Sequence, residues 1–115
     1  MSQFEMVLEG LTRVPGVRGA LLVSLEDGLV VAELSREGLD GAAVAALVAS
    51  LVGRLDRTVR TAGYRALKSV HLETRGGGVM AVPAEEGLML VAVADADANV
   101  GLLRLALRQA MERLS

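Results

Sequence analysis

Residues that could do acid–base or metal chemistry are few in this chain of 115 residues. His71 is the only histidine and there is no cysteine, so a two-histidine metal site, thiolate catalysis and disulfides are all excluded. His71 stands in a segment of alternating polar and apolar residues, which is typical of a strand and of a structural side chain. We therefore expect no catalytic role for it.

Asp95 and Asp97 are the best candidates for a carboxylate pair, an arrangement that serves general acid–base catalysis. They stand between an apolar segment and an amphipathic one, where aspartate caps a helix and interacts favourably with its dipole. The glycines at 76–78 lack the Lys-Ser/Thr and the following helix of a phosphate-binding loop, and they predict a hairpin turn. No serine stands in a nucleophile elbow. We expect no enzymatic activity of the chain itself, no cofactor and no metal.

Composition narrows the class of protein further. The net charge is -2 and aromatic residues make up 2%, whereas a nucleic-acid-binding domain typically has a basic face with interleaved aromatics. Apolar residues make up 52%, enough for an aliphatic core, yet no apolar run approaches the ~18 residues that span a bilayer. We expect one cytoplasmic domain over residues 1–115 that neither binds nucleic acid nor inserts into a membrane.

The elements follow from capping and turn signals. Ser2 and Glu5 form a capping-box pattern for a first helix, which Pro15-Gly16 ends. Two apolar segments joined through Asp27-Gly28 predict a hairpin. A long helix, a meander of three strands and a last helix capped by Asp97 or Asn99 follow. The predicted strands are residues 17–25, 29–34, 67–73, 79–82 and 88–94, and the long helix is 39–63.

This order, αββαβββα, predicts an α+β fold of three α/β/α layers around a five-stranded antiparallel sheet. The first and last strands are apolar on both faces and are expected to be central. The strand at 67–73 alternates, which is typical of an edge strand. Its free backbone groups could pair with another chain, or Lys68 and Glu73 could protect it from pairing.

The long helix has two contrasting faces. Small residues lie opposite the large ones and would let a second helix approach closely. Alternatively, alanine is present there only because it is a good helix former on a surface that contacts nothing. An exposed glycine inside a helix costs about 1 kcal/mol relative to alanine, which favours the first interpretation. The large face, expected on the sheet, comprises Val44, Leu47, Val48, Leu51, Leu55 and Val59. We predict a homodimer whose interface comprises Ala42, Ala46, Ala49, Gly53, Val70 and Leu72.

Three arginines follow on the same helix. Arg54, Arg57 and Arg60 are either a solvated charged end or a rim around a partner-binding patch, where arginine is enriched. Asp56 precedes Arg60 by four residues, a spacing that stabilises a helix. The three arginines are the candidate contacts for a partner.

Three segments of the chain together form a distinctive pattern: the stretch "VPGVRGALLVSLEDGLVVA", the alanine-rich helix and the closing "ADADANVGLLRLALRQA". With this pattern, essentially the whole chain resembles the roadblock/dynein light chain domain family, including its bacterial and archaeal members. The positions that carry most of it are Val14, Gly16, Val17, Gly19, Asp27, Gly28, Asn99, Gly101 and Leu103.

The resemblance implies a profilin-like fold and dimers joined through the third strands and the middle helices. Similar domains are adaptors and regulators of Ras-like small GTPases, and the bacterial polarity and gliding-motility members stimulate GTP hydrolysis without inserting an arginine. The sequence ends at Ser115 without the C-terminal extension of those regulators, so GTPase binding is expected ahead of activation. The alternatives are a small-ligand sensor using His71, Tyr64 and Ser69, or an adaptor subunit of a larger non-GTPase assembly.

Overall fold

The computed structural model describes residues 2–114 and has the predicted order of three helices and five strands. A short 3-10 turn, Glu85–Gly87, joins the last two strands. The elements are α1 (Gln3–Thr12), β1 (Val17–Ser24), β2 (Val30–Ser35), α2 (Gly41–Thr61), β3 (Val70–Thr74), β4 (Gly77–Pro83), β5 (Leu88–Asp95) and α3 (Val100–Leu114).

Side-chain caps fix where the helices begin. The Ser2 hydroxyl accepts a hydrogen bond from the Glu5 amide at 3.1 Å, and Asp40 Oδ1 accepts one from the Ala43 amide at 3.1 Å. Asn99 Oδ1 accepts from the Leu102 amide at 3.0 Å, so Asn99 rather than Asp97 caps α3. Each cap satisfies an amide that has no partner inside its helix.

The sheet is antiparallel throughout, with the strand order β2-β1-β5-β4-β3. The two strands predicted to be central, β1 and β5, pair with each other inside it. β3 is at one edge, as predicted, but it begins at Val70 rather than at residue 67. The Leu67 amide donates to Asp56 Oδ1 of α2 at 2.8 Å, so the chain just before β3 is held by the helix instead of by β4.

The helices cover both faces of the sheet, with one core on each side. Successive residues of β1 alternate between the two cores, because side chains of a strand point to opposite faces. Leu22 packs with Leu8 and Leu103 on the face covered by α1 and α3. Leu21 packs with Ala45 and Val52 on the face covered by α2. No polar or charged side chain is buried within residues 2–114, so apolar burial stabilises both cores.

The rotation of α2 about its axis differs from the prediction. The helix turns Ala45, Val48, Ala49 and Val52 toward the sheet, and Leu47, which we predicted on that face, is 72% exposed. The predicted direction was wrong because it was set by the largest side chains alone. The turn between β1 and β2 packs against the small residues on one side of α2.

Gly28, in the turn between β1 and β2, lies directly against α2. Its φ of +71° is in the left-handed region that favours glycine, and a Cβ built there would lie 3.2 Å from Ala46 Cα and 3.6 Å from Ala49 Cβ. Only small helix residues allow this approach. Part of the small-residue face of α2 is therefore used within the chain itself.

Within residues 2–114, no helix is both long and apolar enough to cross a membrane.

Candidate protein-interaction surface on the second helix

The outer face of α2 has an apolar half and a basic half. Ala46 and Leu47 are exposed in the first half, and Arg54 and Arg57 are exposed in the second. With a rise of 1.5 Å per residue, the apolar and basic halves are centred about 12 to 16 Å apart along the helix. We call this surface the α2 outer face. Arg54 and Arg57 line a shallow depression on it with Thr58 and Thr61.

The structure separates the small residues that we predicted in the dimer interface. Ala42 and Ala46 are exposed, and nothing lies within 4 Å of a Cβ built on the half-buried Gly53. Ala49 is only 6% exposed and packs in the core beneath α2. A second helix could contact Ala42, Ala46 and Gly53 but not Ala49, which corrects the sequence-based set at that position.

Leu47 is the residue that sequence reasoning missed on the α2 outer face. It belongs to an apolar arc with Val44 and Leu51, both of which are half-buried. The apolar residues extend over a wider part of the helix circumference than the sheet can cover. This width is the signal that could have identified Leu47 as exposed.

The edge strand β3 presents apolar side chains on the same face of the sheet as α2. Val70 pairs with Ala81, a core residue beneath α2, and Leu72 pairs with Val79. Val70 is half-buried, whereas Leu72 is 41% exposed. The other edge of β3 is paired with no strand of the sheet. An exposed edge of this kind is a template for pairing with another chain.

Arg60 differs from the other two candidate arginines. Its Nε donates to Asp56 Oδ2 at 2.8 Å, while Asp56 Oδ1 accepts from the Leu67 amide. The hydrogen bond from Leu67 and, after it, that from Arg60 hold the pKa of Asp56 below its usual value, because both stabilise the carboxylate. Arg60 therefore helps to tie α2 to the start of β3. Arg54 and Arg57 form no ion pair within residues 2–114.

Of the residues considered for chemistry, His71, Asp95, Gly77 and Gly78 line one small cavity of about 130 Å³, and Asp97 is not among its lining residues. Asp95 Oδ1 lies 3.9 Å from Arg18 Nε, and it belongs to β5, whereas Asp97 is in the following loop. Residues 75 and 76 form the turn between β3 and β4, because Thr74 pairs with Gly77. No cluster of three metal-ligating side chains occurs within residues 2–114.

The residues proposed for a ligand sensor are only partly brought together. His71 and Ser69 line one groove beside α3, whereas Tyr64 does not line that groove and is 73% exposed.

The sequence profile of the Roadblock/LC7 domain matches residues 3–94. The chain belongs to this family. Uncharacterized protein MJ0714 of Methanocaldococcus jannaschii is 33% identical over 113 residues, which are 98% of this chain and 94% of that protein. The resemblance inferred from the sequence motifs is thereby confirmed.

Solved structures agree with this assignment to the Roadblock/LC7 family. Gliding protein MglB from Thermus thermophilus has a TM-score of 0.87 and 26% identity, over 97% of this chain and 85% of that chain. MglB with a tetrameric arrangement has a TM-score of 0.88 and 26% identity, over 99% of this chain and 88% of that chain. The expected profilin-like three-layer fold is the one observed.

One glycine of the roadblock motif shows what its pattern encodes. Gly16 has a φ of +89°, and a Cβ there would lie 2.8 Å from Ala98 Cα. The turn before β1 thus packs directly against the loop before α3. In this chain Gly16 therefore has a packing role, because it permits a close backbone approach.

Proposed function

We propose that this roadblock domain is a homodimeric, non-catalytic regulator or adaptor that binds a Ras-like small GTPase. The observation that carries the proposal is the α2 outer face, where exposed apolar residues adjoin arginines with no ion-pair partner among the described residues. Membership of the Roadblock/LC7 family and the likeness to gliding protein MglB support it.

Dimerisation is the first step of the proposal. Leu47 of one protomer packs on the α2 helix of its partner, where Ala42, Ala46 and Gly53 allow a close approach. The free edge of β3 in one protomer pairs with the free edge of β3 in the other, so that the two five-stranded sheets form one continuous sheet. A two-fold axis places the same surface of each protomer against the other and buries the exposed Leu47 side chains, which favours association.

GTPase binding is the second step. Pairing of the two α2 helices brings two copies of the basic half into one assembly. The planar guanidinium groups of Arg54 and Arg57 match carboxylates in two-point hydrogen bonds, and arginine is enriched in protein interfaces. These residues contact the GTPase and supply no covalent chemistry. Any change in hydrolysis follows from the conformation that the dimer selects in its partner.

The test is affinity capture from the native lysate with and without a non-hydrolysable GTP analogue, followed by mass spectrometry. We expect the unaltered protein to retain a small GTPase in a nucleotide-dependent way and the variant R54E/R57E to lose it. The matched control is R104E/R108E, which reverses two exposed arginines of α3. Absence of any GTPase in both conditions, or equal capture by R54E/R57E, would contradict the proposal.

A further inference from the structure

A groove lies on the opposite face of the sheet from α2, between α3 and strands β3 and β4. It has a volume of about 530 Å³ and is open to solvent. Its apolar lining includes Met80 and Leu107, which are buried, and Val82 and Met111, which are half-buried. We call it the α3 groove. It has no part in the proposed GTPase contact.

The groove exists because the helical layer on this face stops short of the sheet edge. α3 packs over the core that includes Met80 and Leu90, in β4 and β5, while β3 lies beyond them at the edge. His71 of β3 pairs with Met80 of β4 and lines the groove from its outer side. A further helix packed beside α3, at the usual axis separation of about 8–10 Å, would complete the layer.

Positive charge is concentrated around the groove. Lys68, Arg104 and Arg108 are exposed and line it, and no aspartate or glutamate is among its lining residues. None of the three forms an ion pair within residues 2–114. Arg104 and Arg108 are one helical turn apart on α3, an arrangement of like charges that weakens a helix. Glu85 and Glu112 line a neighbouring depression that also includes Arg108, but the charged side chains that line the α3 groove itself are all cationic. The groove is therefore complementary to an acidic ligand although the whole chain has a net charge of -2.

We propose that the α3 groove binds an acidic amphipathic helix of a partner protein. The apolar side chains of that helix lie on the groove floor, and carboxylates one turn apart bind Arg104 and Arg108. Met111, which is half-buried, suits such a partner, because the flexible thioether side chain adapts to varied apolar surfaces. Openness favours a helix over a small molecule, since small-ligand sites usually bury about 70–90% of their ligand. A dimer could then hold a GTPase on one face and an acidic partner on the other.

Fluorescence anisotropy with the full chain tests this proposal. The probe is a labelled helical peptide of about five turns, with leucines on one face and glutamates flanking them at a spacing of one turn. The matched control peptide has lysine in place of each glutamate. We expect the acidic peptide to bind with micromolar affinity, the lysine peptide to bind at least about tenfold more weakly, and added salt to weaken binding.

Protein variants then locate the site. R104E/R108E should weaken binding of the acidic peptide at least about tenfold, because attraction becomes repulsion, and K68E should weaken it less. R54E/R57E, on the other face, should leave it unchanged. All these side chains are exposed, and thermal melts followed by circular dichroism verify folding. Because the GTPase capture uses the opposite pair of arginines, failure of one proposal is distinguishable from failure of the other.

Three results would overturn the proposal. One is equal binding of the acidic and lysine peptides, and another is unchanged binding by R104E/R108E. The third is binding of oleate, or of vesicles of anionic phospholipid, by a protein that does not bind the acidic peptide. That result would assign the groove to lipids.

Discussion

Asp56 shows how one side chain can join two elements. Its two oxygens accept hydrogen bonds from Arg60 in the same helix and from the Leu67 amide before β3. The sequence indicated the first of these through the spacing of four residues. The second connects residues eleven positions apart, and it fixes the end of α2 relative to the edge strand that we propose in the dimer.

The lowered pKa of Asp56 predicts a pH dependence of stability. Because the pKa is lower in the folded state, the stabilisation is present above the unfolded value of about 3.9 and is lost as pH falls through the folded pKa. Asp56→Asn should reduce the free energy of unfolding near neutral pH, and its difference from the unaltered protein should shrink below about pH 4. Urea unfolding across this range is the measurement. Glu37→Gln, at an exposed loop position, is the control, and a difference that stays constant with pH would contradict the assignment.

Substitution of Gly28 should lower the free energy of unfolding, partly through its backbone conformation and partly through its packing against α2. Gly28→Ala combines a left-handed backbone with a contact 3.2 Å from Ala46 Cα, whereas Gly38→Ala has a φ of +89° but nothing within 4 Å of the new Cβ. We expect Gly38→Ala to cost about 1 kcal/mol and Gly28→Ala at least about 1 kcal/mol more, measured by urea unfolding. Equal losses would show that the hairpin turn does not restrict α2.

At the scale of elements, α2 has two apolar sides, of which one is buried and the other is exposed. One side packs on the sheet through small and medium side chains, and an adjoining side leaves Leu47 largely in solvent. A single exposed leucine is ordinary on a protein surface. Two further features support a helix-to-helix interface. Leu47 lies on α2 beside exposed alanines, and β3 has a free edge at the margin of the same sheet.

Leu47→Glu tests that interface without disturbing the core. Leu47 is 72% exposed, so the variant should fold, but two glutamates near the proposed two-fold axis should convert the dimer to a monomer. Sedimentation velocity measures the mass. The matched control is Leu105→Glu, at a position 46% exposed on α3, on the opposite face of the sheet from α2. If both variants sediment alike, α2 is not the dimer contact.

At the scale of the whole molecule, the sheet separates two surfaces of different chemistry. One face bears α2, with the apolar and basic halves that we propose for the dimer and the GTPase. The other bears the α3 groove with its cationic lining. Because the two lie on opposite sides, partners on them need not compete, which is what an adaptor requires.

The proposed dimer predicts that stability depends on protein concentration. Association stabilises the folded state by mass action, so the Tm should rise as the concentration is increased. Differential scanning calorimetry at several concentrations measures this. Leu47→Glu should show a Tm that is independent of concentration, whereas a concentration-independent Tm of the unaltered protein would contradict a dimer that dissociates as it unfolds.

Sequence by itself determined the local elements and their order. The cap at Ser2, the turn at Asp27-Gly28 and the alternation around His71 are effects of near neighbours, which a sequence displays directly. The apolar character of both faces of β1 and β5 was enough to place these strands inside the sheet.

Tertiary structure alone decided which way α2 turns and which residues its outer face presents. A helical wheel gives the direction of the largest side chains, whereas in the fold the turn at Gly28 packs against the small side of α2, Leu47 faces outward and Ala49 is buried. The Asp56–Leu67 hydrogen bond and the convergence of Lys68 with Arg104 and Arg108 likewise join residues distant in sequence. Their proximity results from packing of the elements, which no local pattern encodes.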